Sequence, residues 1–248
     1  MRTVAATRYL TPLREGGSLP AIVEADDDGL YVLKFRGAGQ GAKALIAELV
    51  AGEIARALGL PVPEIVLMQL DPELARTEPD PEIQDLIRAS GGLNLGLDYL
   101  PGALAYDPLT MAIDAALASR IVWFDALVGN VDRSARNTNL LWWHGKPWLI
   151  DHGAALVFQY QWDGYLERSR APFAAIRDHV LLPRADALAE ADAQLAPQLT
   201  PSCIAAIVAG IPDVWLDAPR EAYRAYFDAR LQPPRAFAEE ARHAHARL

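Results

Sequence analysis

Three polar side chains in the middle of the chain have the types and spacing that phosphoryl transfer requires. Asp132 lies five positions before Asn137 in the polar segment GNVDRSARNTNLL, and Asp151 follows in the sequence IDHG after two short apolar runs. An Asp in such a loop can accept or orient a substrate hydroxyl, while an Asn and a second Asp hold a divalent cation against phosphates. The pattern predicts Asp132 as the catalytic group and Asn137 and Asp151 as ligands of Mg²⁺.

A cation for nucleotide phosphates is available upstream of these residues. Lys34 lies between apolar neighbours in the β-like run YVLKF, and we expect it at an inward position of a strand. The helical pattern that follows carries Glu48 and Glu53, and either carboxylate could pair with the lysine and orient its amine. The lysine and the helix glutamate are therefore predicted to belong to a nucleotide site.

A glycine-containing turn precedes the first clear strand. The sequence EGGSLP could lay its backbone N–H groups over phosphates, although a plain hairpin turn would use the same residue types. Asp98 and Tyr99 fall near a Pro-Gly break that we interpret as a hinge, where an adenine ring could bind. We include the following residues in the predicted nucleotide site: Gly16, Gly17, Ser18, Asp98 and Tyr99.

The elements that must position these residues divide the chain into two parts. Apolar alternation predicts short strands over residues 21–24, 30–35, 65–70 and 91–99, and one helix over residues 42–58 ends at Gly59. A short helix is predicted from the Asp80-Pro81 cap to about Arg88, and a longer one from Asp107-Pro108 to about Val128. Helices fill most of the chain after residue 170, with starts at Thr200 and Asp217. The pattern predicts an α+β fold with two lobes, a mixed β lobe over residues 1–100 and a helical lobe over 101–248.

Composition narrows the classes of partner. Of the 248 residues, 52% are hydrophobic and 22% charged, which is typical of a globular protein. The net charge of −9 argues against a nucleic-acid or anionic-membrane surface, since phosphate groups bind clustered Lys and Arg. No apolar run approaches the ~20 residues that span a bilayer, and the N-terminus has no secretion signal, so we expect a cytoplasmic protein.

Three stretches of the sequence resemble the HipA-like kinases and, more distantly, the phosphatidylinositol 4-kinases. These stretches are YVLKF with the helix KALIAELVAGEIARALGLPVPE, the loop VGNVDRSARNTNLL and the segment LIDHGAAL. The resemblance implies an ATP- and Mg²⁺-dependent kinase that phosphorylates Ser or Thr of a protein. It implies the following roles: Asp132 as catalytic base, Arg133 beside it to hold the loop or a phosphate, Asn137 and Asp151 as Mg²⁺ ligands, Lys34 as the phosphate contact and Glu48 as its partner.

The sequence also departs from the family pattern. His152 stands where protein kinases have Phe, and the short aromatic region 154–169 argues against a long regulated activation loop. We expect the chain to lack the N-terminal subdomain of the longer family toxins, and an antitoxin-like regulator is an expected partner by resemblance alone. Two other functions stay open: a nucleotide-binding pseudokinase or interaction module, and a kinase for a small-molecule hydroxyl.

Overall fold

The computed structural model describes residues 1–13 and 19–248, and its first part is a closed β-barrel. Neighbouring strands are antiparallel except β1 and β4, which pair in parallel. The barrel order is β1-β2-β3-β5-β4. Sequence patterns predicted all of these strands except β1. The strands are β1 (Thr3–Pro12), β2 (Ala21–Ala25), β3 (Leu30–Lys34), β4 (Ile65–Leu70) and β5 (Gly92–Asp98).

Two helices accompany the barrel. Helix α1 (Ala42–Ala57) is apolar on nearly all of its surface, and Gly52 lets it approach β4, because a Cβ there would lie 2.4 Å from Ile65 Cδ1. Helix α2 (Pro81–Ala89) begins at the predicted cap, where the Asp80 carboxylate accepts a hydrogen bond from the Glu82 N–H. Helix α1 is therefore held against the barrel, and Lys34 of β3 lies beside it.

The second part of the chain is mainly helical around a small sheet. Strands β6 (Leu104–Ala105), β7 (Leu140–Trp143) and β8 (Lys146–Leu149) form an antiparallel sheet in sequence order. The helices are α3 (Ala115–Val128), α4 (Tyr165–Ser169), α5 (Leu188–Leu195), α6 (Pro201–Ala209), α7 (Arg220–Arg230) and α8 (Ala236–His245). Among the described residues no helix has the length and apolar character needed to cross a bilayer.

Two predicted helix starts are wrong. The Asp107 side chain accepts hydrogen bonds within a turn, from the Leu109 N–H and the Thr110 hydroxyl, and α3 begins only after Asp114, whose carboxylate caps the Leu117 N–H. Helix α7 begins after Pro219 and not at Asp217, because a residue before proline disfavours the helical conformation. The cap at Thr200 is confirmed.

The apolar core has two clusters. One fills the barrel and includes Val23 and Leu33, and the other extends from helix α1 through α3 to α8. The predicted α+β class, with a strand-rich first part and a helical second part, is confirmed. The boundary at residues 100 and 101 stays a prediction.

Candidate active site

A cavity of about 930 Å³ lies between the barrel and the second part of the chain. Its size is at the upper end of the range typical of ligand pockets. Lys34 and Asp151 occupy one end of it, and the polar residues Thr11, Glu78, Asp98 and Tyr99 line other parts of the wall. The apolar residues that line it include Val32, Leu97, Leu100, Leu141 and Ile150.

Lys34 joins two carboxylates at the polar end of this cavity. Its Nζ donates to Asp151 Oδ1 at 2.6 Å and lies 3.5 Å from Glu48 Oε2. Burial by itself would lower the pKa of Lys34, but the negative charges of Glu48 and Asp151 raise it. Lys34 does not point into the barrel, where Tyr31 and Leu33 pack. It faces helix α1 and the cavity instead.

Glu48 is the partner that the structure brings to Lys34. Glu53, the other candidate from the sequence, lies near the end of α1 and within 3.3 Å of Arg56. Glu48 is buried, and burial alone would raise its pKa. The Lys34 charge and hydrogen bonds from His152 outweigh this and lower the pKa to about 2. The carboxylate is thus held ionised inside the protein.

His152 ties the Asp151 segment to helix α1. Its backbone N–H donates to Glu48 Oε1 at 3.1 Å, and its ring Nδ1 lies 3.3 Å from the same oxygen. The fully buried ring meets the Phe124 ring edge-on, with 5.7 Å between the ring centroids. Asp151 itself has a positive φ of 57°, a strained conformation that such contacts maintain.

The loop after α3 presents Asp132. Gly129 ends the helix with a left-handed φ of 66°, and the Asp132 N–H then donates to Asn130 Oδ1. Asn137 Nδ2 donates to Asp132 Oδ2 at 3.0 Å, so the spacing of five brings these two side chains together as expected. Asp132 is half-buried, and Asn137 is exposed.

Arg133 holds this loop from inside. Its Nε donates to Asp125 Oδ2 at 2.6 Å, and its Nη1 donates to the carbonyl of Asn139. Asp125 also accepts hydrogen bonds from Asn130 and lies 2.9 Å from His179 Nε2. Burial would raise the pKa of Asp125, but Arg133 and His179 lower it. Arg133 is 1% exposed, a position that suits holding the loop and excludes contact with a substrate.

Asn139 was missed by the sequence patterns. Its Nδ2 donates to the Asp132 carbonyl at 3.0 Å and to Asp132 Oδ2 at 3.1 Å, and the residue is buried. No donor among the described residues contacts its Oδ1. The sequence Asn-Thr-Asn could have identified Asn139 as a second candidate, because Asn139 is the asparagine that directly precedes the apolar strand β7.

The predicted hinge residues lie at the cavity. Asp98 and Tyr99 both line it, the Tyr99 N–H donates to Leu30 O, and no acceptor among the described residues contacts the Leu100 N–H. Burial and the nearby Glu64 raise the pKa of Asp98. The predicted turn residues Gly16, Gly17 and Ser18 lie outside the described residues. The roles of all these residues stay predictions.

The comparison with protein-family models identifies a family. A family model described as HipA-like kinase matches residues 7–232. No protein of curated function matches the chain in sequence.

Solved structures share the fold at low identity. The proinflammatory kinase CtkA of Helicobacter pylori is 14% identical with a TM-score of 0.63, over 97% of this chain and 96% of that one. The Golgi casein kinase is 13% identical with a TM-score of 0.55, over 99% of this chain and 74% of that one. A structure of that kinase with Mn and ADP bound gives 14% identity and a TM-score of 0.56, over 98% and 73% of the two chains.

Proposed function

This chain belongs to the HipA-like kinase family, and we propose that it uses ATP and Mg²⁺ to phosphorylate a hydroxyl group, that of Ser or Thr in a protein. The observation that carries the proposal is the contact of Lys34 with both Glu48 and Asp151 at one end of the cavity. A buried ammonium oriented by a helix glutamate, next to an aspartate that can hold a metal, is the arrangement that positions nucleotide phosphates for transfer.

The apolar part of the cavity suits a purine ring. Leu97 and Leu141 belong to different parts of the fold and both line it, while the Leu100 N–H offers a hydrogen-bond donor at the hinge. A nucleotide seated there would extend its phosphates toward Lys34. Asp98 and Tyr99 would lie beside the ring and the ribose.

The oxygen atoms beside Lys34 fit Mg²⁺, which prefers carboxylate, amide and phosphate oxygens. Asp151 Oδ2 and Asn139 Oδ1 would hold the ion, because Asp151 Oδ1 and Asn139 Nδ2 are already hydrogen-bonded. The described residues contain no cluster of three or more His, Cys, Asp and Glu for a metal, which agrees with an ion completed by phosphates and water. Such an ion neutralises phosphate charge. Asn137 stays the alternative amide ligand.

Asp132 would accept the proton of the acceptor hydroxyl or orient it. Two asparagines donate to Asp132 Oδ2, so the carboxylate is held in one orientation while Oδ1 stays available. Positioning and neutralisation of charge supply most of the rate acceleration in this reaction class. Lys34, Asp132, Asn137 and Asp151 are all present, and this complete set disfavours a pseudokinase that binds nucleotide without transferring phosphate.

A small-molecule acceptor is the second candidate. The cavity of about 930 Å³ could hold a compact acceptor beside a nucleotide. A protein acceptor would instead meet the protein at the cavity mouth.

The direct test is thermal unfolding with ATP or ADP, with and without Mg²⁺, followed by a transfer assay. We expect Mg²⁺-dependent nucleotide binding to raise the Tm of the wild type by several degrees, since ligand at about 100 times Kd adds ~2.7 kcal/mol. Asp151→Asn should lose the Mg²⁺-dependent part of the shift. Asp132→Asn should keep the shift and lose transfer by at least about 100-fold.

The exposed Asp163→Asn serves as the control and should behave as wild type. Normal transfer by Asp132→Asn would show that its assigned role is wrong. The absence of any nucleotide shift in the wild type would reject the kinase and favour an interaction module. Transfer to casein or histone mixtures, compared with transfer to small polyols and amino alcohols, separates the two acceptor classes.

A further inference from the structure

The segment that follows Asp151 is packed against the end of the helical part. Residues Val157–Tyr160 form one 3-10 turn, and the Phe158 ring stacks on Tyr226 of α7 with 3.6 Å between centroids. The Tyr223 ring meets Phe158 edge-on. This aromatic packing fixes the backbone on both sides of Gln159, whose side chain is fully buried.

Gln159 connects three elements through hydrogen bonds. Its Nε2 donates to the Lys43 carbonyl at 3.0 Å, and its own carbonyl accepts from Lys43 Nζ at 2.8 Å. Its Oε1 accepts from the Tyr223 hydroxyl of α7 at 3.1 Å. Removing any of these partners would leave a buried polar atom of Gln159 without a hydrogen bond and would destabilise the protein. The arrangement therefore has one favoured geometry.

Lys43 lies in the first turn of helix α1, where other polar anchors are few. The helix cap is Gly41, which has no side chain to accept a hydrogen bond, and the first turn has no acidic residue. Lys43 also pairs with Asp217 at 2.8 Å. Lys43 therefore adds polar contacts with Gln159 and Asp217 to the apolar packing, including Leu45 and Ile46, that holds the N-terminal half of α1 in the helical part.

Glu48 is on the same helix, five residues after Lys43. An α-helix rises 1.5 Å per residue and is stiff over such a distance, so a shift at Lys43 moves the Glu48 carboxylate by about as much. Contact between Glu48 Oε2 and Lys34 Nζ, already at 3.5 Å, would not survive a displacement of about 1 Å or more.

We propose that Gln159 is a positioning residue for the phosphate-binding lysine, acting through helix α1 and Glu48. This inference rests on the proposed kinase function. Gln159 touches neither nucleotide nor acceptor. It keeps Glu48 within reach of Lys34 by fixing the start of α1 to the segment after the metal-binding aspartate. The fold thus couples the two sides of the phosphate site through an uncharged side chain.

The test is a double-mutant cycle on transfer activity, with Gln159→Leu, Glu48→Gln and the double variant. We expect Gln159→Leu to lower kcat about tenfold, which corresponds to the loss of a buried hydrogen bond of about 1.4 kcal/mol. Its KM for ATP should change by less than about twofold. The double variant should be no slower than Glu48→Gln alone, because both changes disable the same contact. Gln161→Leu, at an exposed position two residues away, is the matched control and should have the kcat and KM of the wild type.

A purely structural role for Gln159 would lower Tm and leave kcat unchanged below the unfolding temperature, or give losses that add to those of Glu48→Gln. Either result overturns the inference. Tyr223→Phe removes only the hydroxyl that donates to Gln159, so this variant folds even if Gln159→Leu does not. It should lower kcat by about threefold, because Gln159 then holds the start of α1 less firmly. Inactive wild-type protein would instead reject the proposed function itself.

Discussion

At the scale of single residues, the charge of Glu48 is maintained by two neighbours of different kinds. Lys34 supplies an opposite charge, and His152 supplies hydrogen bonds from its backbone and its ring. The folded protein lowers the pKa of Glu48 from 4.5 to about 2. A carboxylate whose pKa is lower in the folded state stabilises the fold above its unfolded pKa, and this contribution is lost as the pH falls through the folded value.

We therefore predict that the stability of the wild type decreases between pH 4.5 and about 2. Glu48→Gln should be less stable than wild type near neutral pH and lose less stability on acidification, because it lacks this titration. Urea unfolding at several pH values measures the free energy of unfolding of the wild type and of Glu48→Gln. The control is Glu53→Gln on the same helix. A variant with the full pH dependence of the wild type would contradict the prediction. Asp125 and Asp192, whose pKa values are also lowered, contribute to the dependence that remains.

Asn139 and Asn137 provide a second test among single residues. Asn139 is buried with its Nδ2 bound to the Asp132 carbonyl, whereas Asn137 is exposed and its side chain donates to the Asp132 carboxylate. We expect Asn139→Ala to lower kcat by at least about tenfold and to raise the Mg²⁺ concentration needed for activity, because the proposed metal ligand and a loop contact are lost together. Asn137→Ala is the matched control and should change kcat and the Mg²⁺ requirement less than Asn139→Ala does. A larger increase in the Mg²⁺ requirement for Asn137→Ala than for Asn139→Ala would contradict the prediction and return the metal role to Asn137.

Sequence spacing located the loop and selected Asn137 as the metal ligand without considering Asn139, and the metal role of Asn137 stays a prediction. Residue types in Asp132-x4-Asn137 match the expected pattern, and the choice depends on which side chain is buried, a property of the folded loop. Arg133 shows the same limit. The sequence left open a role with the loop or with a phosphate, and burial against Asp125 favours the loop, although the role stays a prediction.

At the scale of elements, helix α3 delivers the Asp132 loop, and its C-terminal end is held by one buried cation. Arg230 of α7 donates to the carbonyls of Ala126 and Leu127 at 2.7 Å, and also to those of Ser169 and Ala171. No carboxylate among the described residues pairs with it, and burial lowers its pKa. The negative end of the α3 dipole takes the place of a counter-ion.

We predict that Arg230→Met destabilises the protein by about 3 kcal/mol or more, since four buried carbonyls lose their donor. Arg224→Met, on the same helix but half-exposed and paired with Glu221 and Asp228, should change stability by about 0.5 kcal/mol or less. Urea unfolding followed by circular dichroism gives both values. Similar losses for the two variants would show that the carbonyl contacts of Arg230 contribute little.

Elements were predicted well where local signals dominate. The caps at Asp80 and Thr200 and strand β4 follow from short-range patterns. The start of α3 does not, because Asp107 and Asp114 both carry a capping side chain and only packing decides which one begins the helix. Strand β1 was missed because its sequence TVAATRYLTP does not alternate regularly between apolar and polar residues, and two irregularities interrupt its pairing with β2.

At the scale of the whole molecule, helix α1 belongs to the core of the helical part. It packs in one cluster with α3 to α8, while the barrel interior forms the other cluster. The Lys34, Glu48 and Asp151 contacts, and a hydrogen bond from Trp215 Nε1 to the Leu93 carbonyl, also cross between the two parts. We infer that the barrel and the helical part unfold together.

Tryptophan positions make this inference testable. All six tryptophans lie after residue 100, so their fluorescence reports mainly on the helical part, although Trp215 also contacts the barrel through the Leu93 carbonyl. Leu33→Ala removes a fully buried side chain inside the barrel and should cost about 2–5 kcal/mol. Cooperative unfolding predicts that the urea midpoint shifts equally by tryptophan fluorescence and by circular dichroism. Leu30→Ala, at a 37% exposed position of the same strand, should leave both midpoints near wild type. A midpoint shift seen by circular dichroism alone would mean that the barrel unfolds independently and that the nucleotide site can come apart while the helical part stays folded.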